Sequence, residues 1–101
     1  MSRTPAQLLA ELGRPRVVVV GDLILDRYIT GTVDRISPEA PIQVLTVERD
    51  ERRLGGAGSV AQALAVLGAH ATLVGVVGLD DSGAEIRRQA QALGITLVAL
   101  E

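Results

Sequence analysis

Three short apolar runs separated by helical patterns limit this chain to an α/β fold with a largely parallel sheet. The runs cover 17–20, 72–77 and Thr96–Leu100, and β-branched residues are frequent in them. Between the second and third runs, Ile86, Ala90 and Leu93 share one helical face. A strand–helix–strand order in one sheet requires right-handed crossovers and parallel neighbours. The first run reads as a strand buried on both faces, which is typical of such sheets.

The ends of three helices can be read from capping residues. Thr4-Pro5-Ala6-Gln7 predicts an N-cap, a proline in the first turn and a capping box for a short leading helix that Gly13 ends. A second helix should run over about 58–67, with Gly68 as its stop. Asp81-Ser82 can cap a third helix, which Gly94 ends.

The segment 26–54 differs from the rest of the chain in its residue pattern. Gly31, Pro38 and Pro41 interrupt it, and its apolar residues only partly alternate with polar ones. We expect exposed, half-buried strands around a loop. The charged run 48–53 is typical of a hairpin or a solvated strand edge.

Composition excludes several classes of chemistry. The chain has 101 residues and no Cys, which rules out disulfides, thiolate metal sites and cysteine nucleophiles. All ten basic residues are Arg, so Schiff-base chemistry and a P-loop lysine are excluded. The net charge of −2 and the scattered arginines argue against nucleic acid as a partner, and no apolar run approaches a membrane span. We therefore expect a cytoplasmic protein with no membrane partner.

The core should be thin and incompletely covered. With no Phe or Trp and one Tyr, it must be built from Val, Leu, Ile and Ala. An open parallel sheet needs helices on both faces, and two or three helices cannot supply them. Because the sequence ends on an apolar strand, we expect a fragment of a longer protein.

The glycine-rich loop 54–61 could bring backbone N–H groups close to a ligand as it opens a helix. Gly56, Gly58 and Ala61 also fit the dinucleotide fingerprint, with Asp80 near the place of a ribose-binding acid. That fingerprint should follow a buried parallel strand, however, and here it follows the charged run. A third interpretation is a turn needed only for close helix packing.

Asp22 and Asp26 follow the first strand, at the carboxyl edge where open α/β sheets bind ligands. Two carboxylates there could accept hydrogen bonds from vicinal hydroxyls of a sugar. Alternatively, Asp22 only caps a turn and Asp26 only pairs with Arg27 or Arg35 in solvent.

Two stretches carry a resemblance to a known family. The loop 55–61, followed by Gly68, Gly78 and Asp80, resembles the first signature of the PfkB, or ribokinase-like, carbohydrate kinases. The stretches 20–28 and 35–41 are similar to the start of bacterial D-glycero-D-manno-heptose 7-phosphate kinases, which act in ADP-heptose synthesis for lipopolysaccharide and are often fused to an adenylyltransferase domain. The match covers most of this chain but only the N-terminal part of such a kinase.

The resemblance implies a set of substrate-binding residues. Asp26 would bind sugar hydroxyls with Asp22 as a second contact, and Gly55 and Gly56 would present backbone N–H groups to the sugar. Ser59 stands where the family usually has Asn, which puts sugar affinity or substrate identity in doubt because the longer amide is both donor and acceptor.

The resemblance also implies an organisation and a partner. Residues 27–54 would form a small β-lid that closes over the sugar and mediates homodimerisation in many members, and 55–101 would form a β-α-β-α-β segment. A sugar phosphate is the implied small-molecule substrate. Three arginines are candidates to meet its phosphate: Arg35, Arg52 and Arg53.

A complete family member would transfer the ATP γ-phosphoryl group to a sugar hydroxyl with Mg²⁺ between the phosphates. Its base lies in a Gly-Ala-Gly-Asp-like motif late in the chain, which is absent here. We therefore expect no catalytic or metal-ligating residue in this segment, no ATP or Mg²⁺ bound by it alone, and no activity of it alone. The alternative function is a non-catalytic sugar-phosphate-binding or dimerisation module.

Overall fold

The fold combines a parallel sheet with a long antiparallel ribbon. The computed structural model describes residues 2–101. In chain order its elements are α1 (Pro5–Glu11), β1 (Arg16–Val20), β2 (Leu23–Ile36), β3 (Gln43–Gly56), α2 (Ala57–Val66), β4 (His70–Val76), α3 (Asp81–Ala92) and β5 (Thr96–Leu100). Every predicted helix and strand is therefore present, with ends shifted by one or two residues in most cases.

The parallel sheet has the strand order β1-β4-β5. Val17 pairs with Ala71 and Val19 with Leu73, and Leu73 in turn pairs with Leu97 of β5. All three strands thus end at one carboxyl edge, as the predicted crossovers require. Among residues 2–101, no helix is long and apolar enough to span a membrane.

Both longer helices cover the same face of the sheet. Ala61 of α2 and Ala90 of α3 pack with Ala71 and Leu73 of β4 and with Ile95 in one buried cluster. Leu54, Val77 and Ile86 form a second cluster that joins the base of the ribbon to α3. Small residues on the helices let them approach the sheet closely, so a core without Phe or Trp can still be filled.

The opposite face of the sheet is open. Val18 and Val20 are 64% and 73% exposed, and Val76, Val98 and Leu100 are exposed on the same side. The prediction that the first strand is buried on both faces is wrong for this structure, because α2 and α3 both lie on one side. The expectation that few helices would leave the sheet incompletely covered is confirmed in the part of the chain that the structure describes.

The ribbon is longer than the sequence indicated. β2 and β3 have 14 residues each, and they pair from Leu23↔Gly56 out to Ile36↔Gln43. The charged run 48–53 lies inside β3 and forms no hairpin turn; the turn falls at 37–42. Two bulges, at Glu48 and at Asp34, interrupt the pairing. The ribbon extends away from the sheet, and the molecule measures 72 Å along its longest axis.

The helix caps follow the sequence with one correction. At α1, Gln7 N donates to Thr4 Oγ1 and Thr4 N donates to the Gln7 side chain, which completes the predicted capping box. At α3 the cap is Asp80 and not Asp81-Ser82, since the Gly83 amide donates to the Asp80 carboxylate at 2.8 Å. Gly68 and Gly94 follow their helices with φ of +98° and +72°, a conformation that favours glycine.

We predict that Leu73→Ala lowers the free energy of unfolding by about 2–5 kcal/mol, because Leu73 is fully buried between both helices. Val76→Thr is the matched control, since it keeps a β-branched residue at an exposed position of the same strand and should cost less than about 1 kcal/mol. Urea denaturation measures both. Equal losses in the two variants would contradict the assignment of the covered face.

Candidate substrate site

A cleft lies at the carboxyl edge of the sheet, where the ribbon leaves it. Its volume is about 570 Å³, and its wall includes Gly21, Asp22 and Gly75 beside the apolar Val20, Val74 and Leu100. A Cβ on Gly75 would lie 2.7 Å from the Gly21 carbonyl oxygen, so the two strand ends approach closely only because residue 75 is glycine. The cleft therefore combines a carboxylate with exposed backbone at the predicted edge.

Asp22 joins three elements at this edge. Its carbonyl accepts a hydrogen bond from the Ala57 amide at 2.8 Å, which ties the end of β1 to the first residue of α2. Gly56, between them in space, has φ of +57°, and a Cβ there would lie 2.5 Å from the Asp22 carbonyl oxygen. Gly56 is therefore required both by its backbone conformation and by close packing.

Asp26 lies near the base of the ribbon, as the fourth residue of β2. Its carboxylate occupies the space that a Cβ on Gly55 would fill, and Gly55 itself is buried. The carboxylate forms no ion pair within residues 2–101: Arg27 instead donates two hydrogen bonds to Asp50, at 2.9 and 2.6 Å. The alternative in which Asp26 only pairs with Arg27 or Arg35 is thus not what the structure shows.

Ser59 lies in the first turn of α2 and is exposed. Its hydroxyl donates to the Gly56 carbonyl at 2.8 Å. Its proton is therefore used within the loop, and only the oxygen lone pairs remain for a ligand. The structure brings Ser59 to the helix end where Gly55 and Gly56 lie.

The three candidate arginines separate onto different parts of the ribbon. Arg53 pairs directly with Asp26 across the strands, so both side chains share one face. Arg52 pairs with Arg27 on the opposite face, and its carbonyl accepts a hydrogen bond from Gln89 of α3 at 2.8 Å. Arg35 lies far out on the ribbon, beside the bulge and opposite Val44. Only Arg53 accompanies Asp26.

Ion pairs set the electrostatics of the ribbon. The Arg27 guanidinium holds the pKa of Asp50 below its usual value, chiefly through hydrogen bonding. Arg53 lowers the pKa of Glu51 in the same way. These carboxylates stay ionised at neutral pH, so the ribbon carries charges of both signs.

Two residues near Asp26 were given no role by sequence reasoning. Tyr28 lies on the Asp26 face, and the Arg53 guanidinium stacks 4.6 Å from the centre of its ring. Glu51 pairs with Tyr28 across the strands and binds Arg53. The available signal was that Tyr28 is the sole aromatic residue of the chain.

The dinucleotide interpretation lacks its structural context. The first glycine of the fingerprint, Gly56, ends β3, which is an antiparallel ribbon strand and not a buried parallel strand. Asp80 caps α3 instead of facing a ribose position. No group of three or more His, Asp or Glu side chains within residues 2–101 is placed to hold a metal ion.

Comparison with known proteins identifies the fold and the family. A carbohydrate kinase from Agrobacterium tumefaciens superimposes with a TM-score of 0.65 at 21% identity, covering 85% of this chain and 27% of that one. The fold is that of the ribokinase-like carbohydrate kinases. Residues 14–100 match the model of the pfkB family carbohydrate kinases, and the chain belongs to this family.

One curated relative of this chain is a sugar-phosphate kinase by name, and another is named as a bifunctional protein. The chain is 55% identical over 95 residues to the D-beta-D-heptose 7-phosphate kinase of Bordetella bronchiseptica, covering 94% of this chain and 29% of the relative. It is 57% identical over 76 residues to the bifunctional protein HldE of Caulobacter vibrioides, covering 75% of this chain and 16% of the relative. The chain thus spans less than a third of the relatives' length.

We predict that Gly55→Ala destabilises the chain by roughly 1–3 kcal/mol, because the added methyl group must displace the Asp26 carboxylate. In an Asp26→Ala background, the same substitution should cost less than half as much. Urea denaturation of the wild type, both single variants and the double variant gives the coupling free energy. If the changes in free energy of unfolding of the two single variants simply add in the double variant, Asp26 and Gly55 do not share this space.

Proposed function

We propose that this chain is the sugar-binding and lid portion of a carbohydrate kinase that transfers the ATP γ-phosphoryl group to a sugar phosphate. The observation that carries the proposal is the Asp26 carboxylate, which forms no ion pair within residues 2–101 and lies against Gly55 in the glycine-rich loop that opens α2. The name of the Bordetella bronchiseptica relative favours a heptose 7-phosphate as the substrate. The resemblance carried by 20–28 and 35–41 favours D-glycero-D-manno-heptose 7-phosphate, and hence a place in ADP-heptose and lipopolysaccharide precursor synthesis.

The proposed site binds the sugar through its hydroxyl groups. Asp26 and Asp22 accept hydrogen bonds from hydroxyls, and an ionised acceptor makes these bonds stronger than neutral ones. Gly55 and Gly56 bring backbone N–H groups close to the sugar because neither carries a side chain. Ser59 accepts a hydrogen bond from a sugar hydroxyl, since its own hydroxyl already donates to the Gly56 carbonyl.

The ribbon acts as the lid in this proposal. Closing over the sugar excludes water, which would otherwise compete for the phosphoryl group. ATP with Mg²⁺ would supply the phosphoryl group and neutralise its charge in the complete kinase. The residues of this segment bind and orient the sugar, and we expect no phosphorylation by residues 1–101 alone. Because ATP is the proposed donor, we place the reaction in the cytoplasm.

We predict that Asp26→Asn lowers kcat/KM for heptose 7-phosphate by at least about 100-fold in the protein at its natural length, since two charge-assisted hydrogen bonds weaken. Asp34→Asn, on the same strand but at the distal bulge, is the matched control and should change kcat/KM less than about twofold. An ATP-coupled assay measures both. An unaffected Asp26→Asn enzyme would overturn the proposed sugar contact.

One observation also favours pairing of two copies through the lid. The ribbon face that buries Leu54 at its base carries an exposed apolar patch further out, formed by Ile29, Val33, Leu45 and Val47. Such a patch is suited to isologous contact with the same patch on a second copy. We propose that the lid mediates homodimerisation, whether or not the segment takes part in catalysis.

We predict that Val33→Glu shifts the natural-length protein from dimer to monomer in sedimentation velocity, because it places a charge in the centre of the apolar patch. Thr32→Glu, which adds the same charge on the opposite face of the ribbon, should leave the dimer intact. A wild-type protein that sediments as a monomer would contradict the proposal.

A further inference from the structure

Arg53 lies where a substrate held by Asp26 would meet it. The two residues are direct partners in the antiparallel pairing of β2 and β3, so their side chains project from the same face about 5 Å apart at the backbone. No ion pair joins them in the described part of the chain, and the Arg53 side chain is 59% exposed. A positive group and a free carboxylate therefore face the same space.

The Arg53 guanidinium is held in a defined orientation. Its central carbon lies over the Tyr28 ring, 4.6 Å from the ring centre, and its Nε and Nη2 atoms donate to a single Glu51 oxygen at 3.2 and 2.6 Å. These contacts use one edge of the guanidinium. The remaining N–H groups, including both on Nη1, stay free for a second acceptor.

Glu51 does not neutralise this row of charges. It is shared with Arg49, whose Nε lies 3.0 Å from the other Glu51 oxygen. Because strand residues alternate between faces, Arg49, Glu51 and Arg53 lie on the face of Asp26. Among these three residues one positive charge is left over, and it is balanced only by Asp26, which forms no ion pair with Arg53 in the described part of the chain. An anionic ligand can therefore be bound without first breaking a one-to-one ion pair.

The neighbouring arginines do not share this arrangement. Arg27 is engaged by both oxygens of Asp50 on the opposite face. Arg52 also belongs to that face, where β3 is tied to α3 through the Gln89 hydrogen bond to its carbonyl. Arg49 lies two same-face positions further from Asp26 than Arg53, which is about 13 Å along the strand.

From this geometry, and resting on the function proposed above, we propose that Arg53 is the specificity-determining residue that binds the phosphate group already present on the sugar substrate. Asp26 binds the hydroxyls of the sugar, and the Arg53 guanidinium donates to the phosphate oxygens. Tyr28 and Glu51 are positioning residues that hold the guanidinium. The lid face thereby distinguishes a sugar phosphate from the unphosphorylated sugar.

The test compares two ligands in the natural-length protein by isothermal titration calorimetry: D-glycero-D-manno-heptose 7-phosphate and the unphosphorylated heptose. We expect Arg53→Gln to weaken binding of the phosphorylated sugar by roughly 10- to 100-fold and to leave binding of the unphosphorylated sugar within about twofold. Arg52→Gln, the adjacent residue on the opposite face, is the matched control and should change neither affinity.

The outcomes separate this inference from the proposed function. If Arg53→Gln binds both sugars as the wild type does, Arg53 is not the phosphate contact, and the proposed function stands. If Arg53→Gln weakens both sugars equally, its role is structural and the inference is overturned. If the wild type binds neither sugar, the proposed function itself fails. Arg53→Lys keeps the positive charge but lacks the planar guanidinium that can donate two parallel hydrogen bonds. It should therefore restore only part of the affinity for the phosphorylated sugar.

Discussion

The junction at Asp22, Gly56 and Ala57 is the contact on which the rest of this structure depends. The hydrogen bond from the Ala57 amide to the Asp22 carbonyl joins the two ends of the segment that forms the ribbon, Leu23 to Gly56. The ribbon therefore begins and ends at the same point of the sheet edge. Closing a long segment costs entropy, and the paired strands recover it through their ladder. Only glycine at position 56 can adopt a φ of +57° and also lie this close to the Asp22 carbonyl. The junction therefore also fixes where α2 begins.

The same junction positions the candidate site. It sets the ribbon base against the carboxyl edge of the sheet, where the Asp22 carbonyl lies against Gly56 and the Asp26 carboxylate lies against Gly55. Leu54 and Leu25, on the other face of the ribbon, pack into the cluster with Val77 and Ile86. One face of the ribbon is therefore anchored by apolar burial, and this leaves the Asp26 face directed away from that core.

Beyond its base, the ribbon is held by pairing and by charges. Its ion pairs are exposed, and such pairs contribute little to stability individually. Their contribution is to orient side chains: Arg27 is fixed on one face by Asp50, and Arg53 on the other by Glu51 and Tyr28. Opposite charges are therefore paired within each face of the ribbon, in a chain whose net charge is only −2.

The sequence by itself determined the elements and most of the candidate site, because these depend on local rules. Apolar periodicity defined the parallel strands and helices, capping residues defined the ends of α1, and the glycine loop with Asp22 and Asp26 marked the sheet edge. Tertiary structure decided what depends on register and on packing between distant segments. The pairing of β2 with β3 put the charged run 48–53 inside a long strand and the turn at 37–42, and the cap of α3 moved to Asp80. Arg52 and Arg53 are adjacent in sequence and have the same side chain, but they lie on opposite faces of the ribbon because strand side chains alternate. Which of the two lies on the Asp26 face is decided by the strand pairing, in which Asp26 is opposite Arg53.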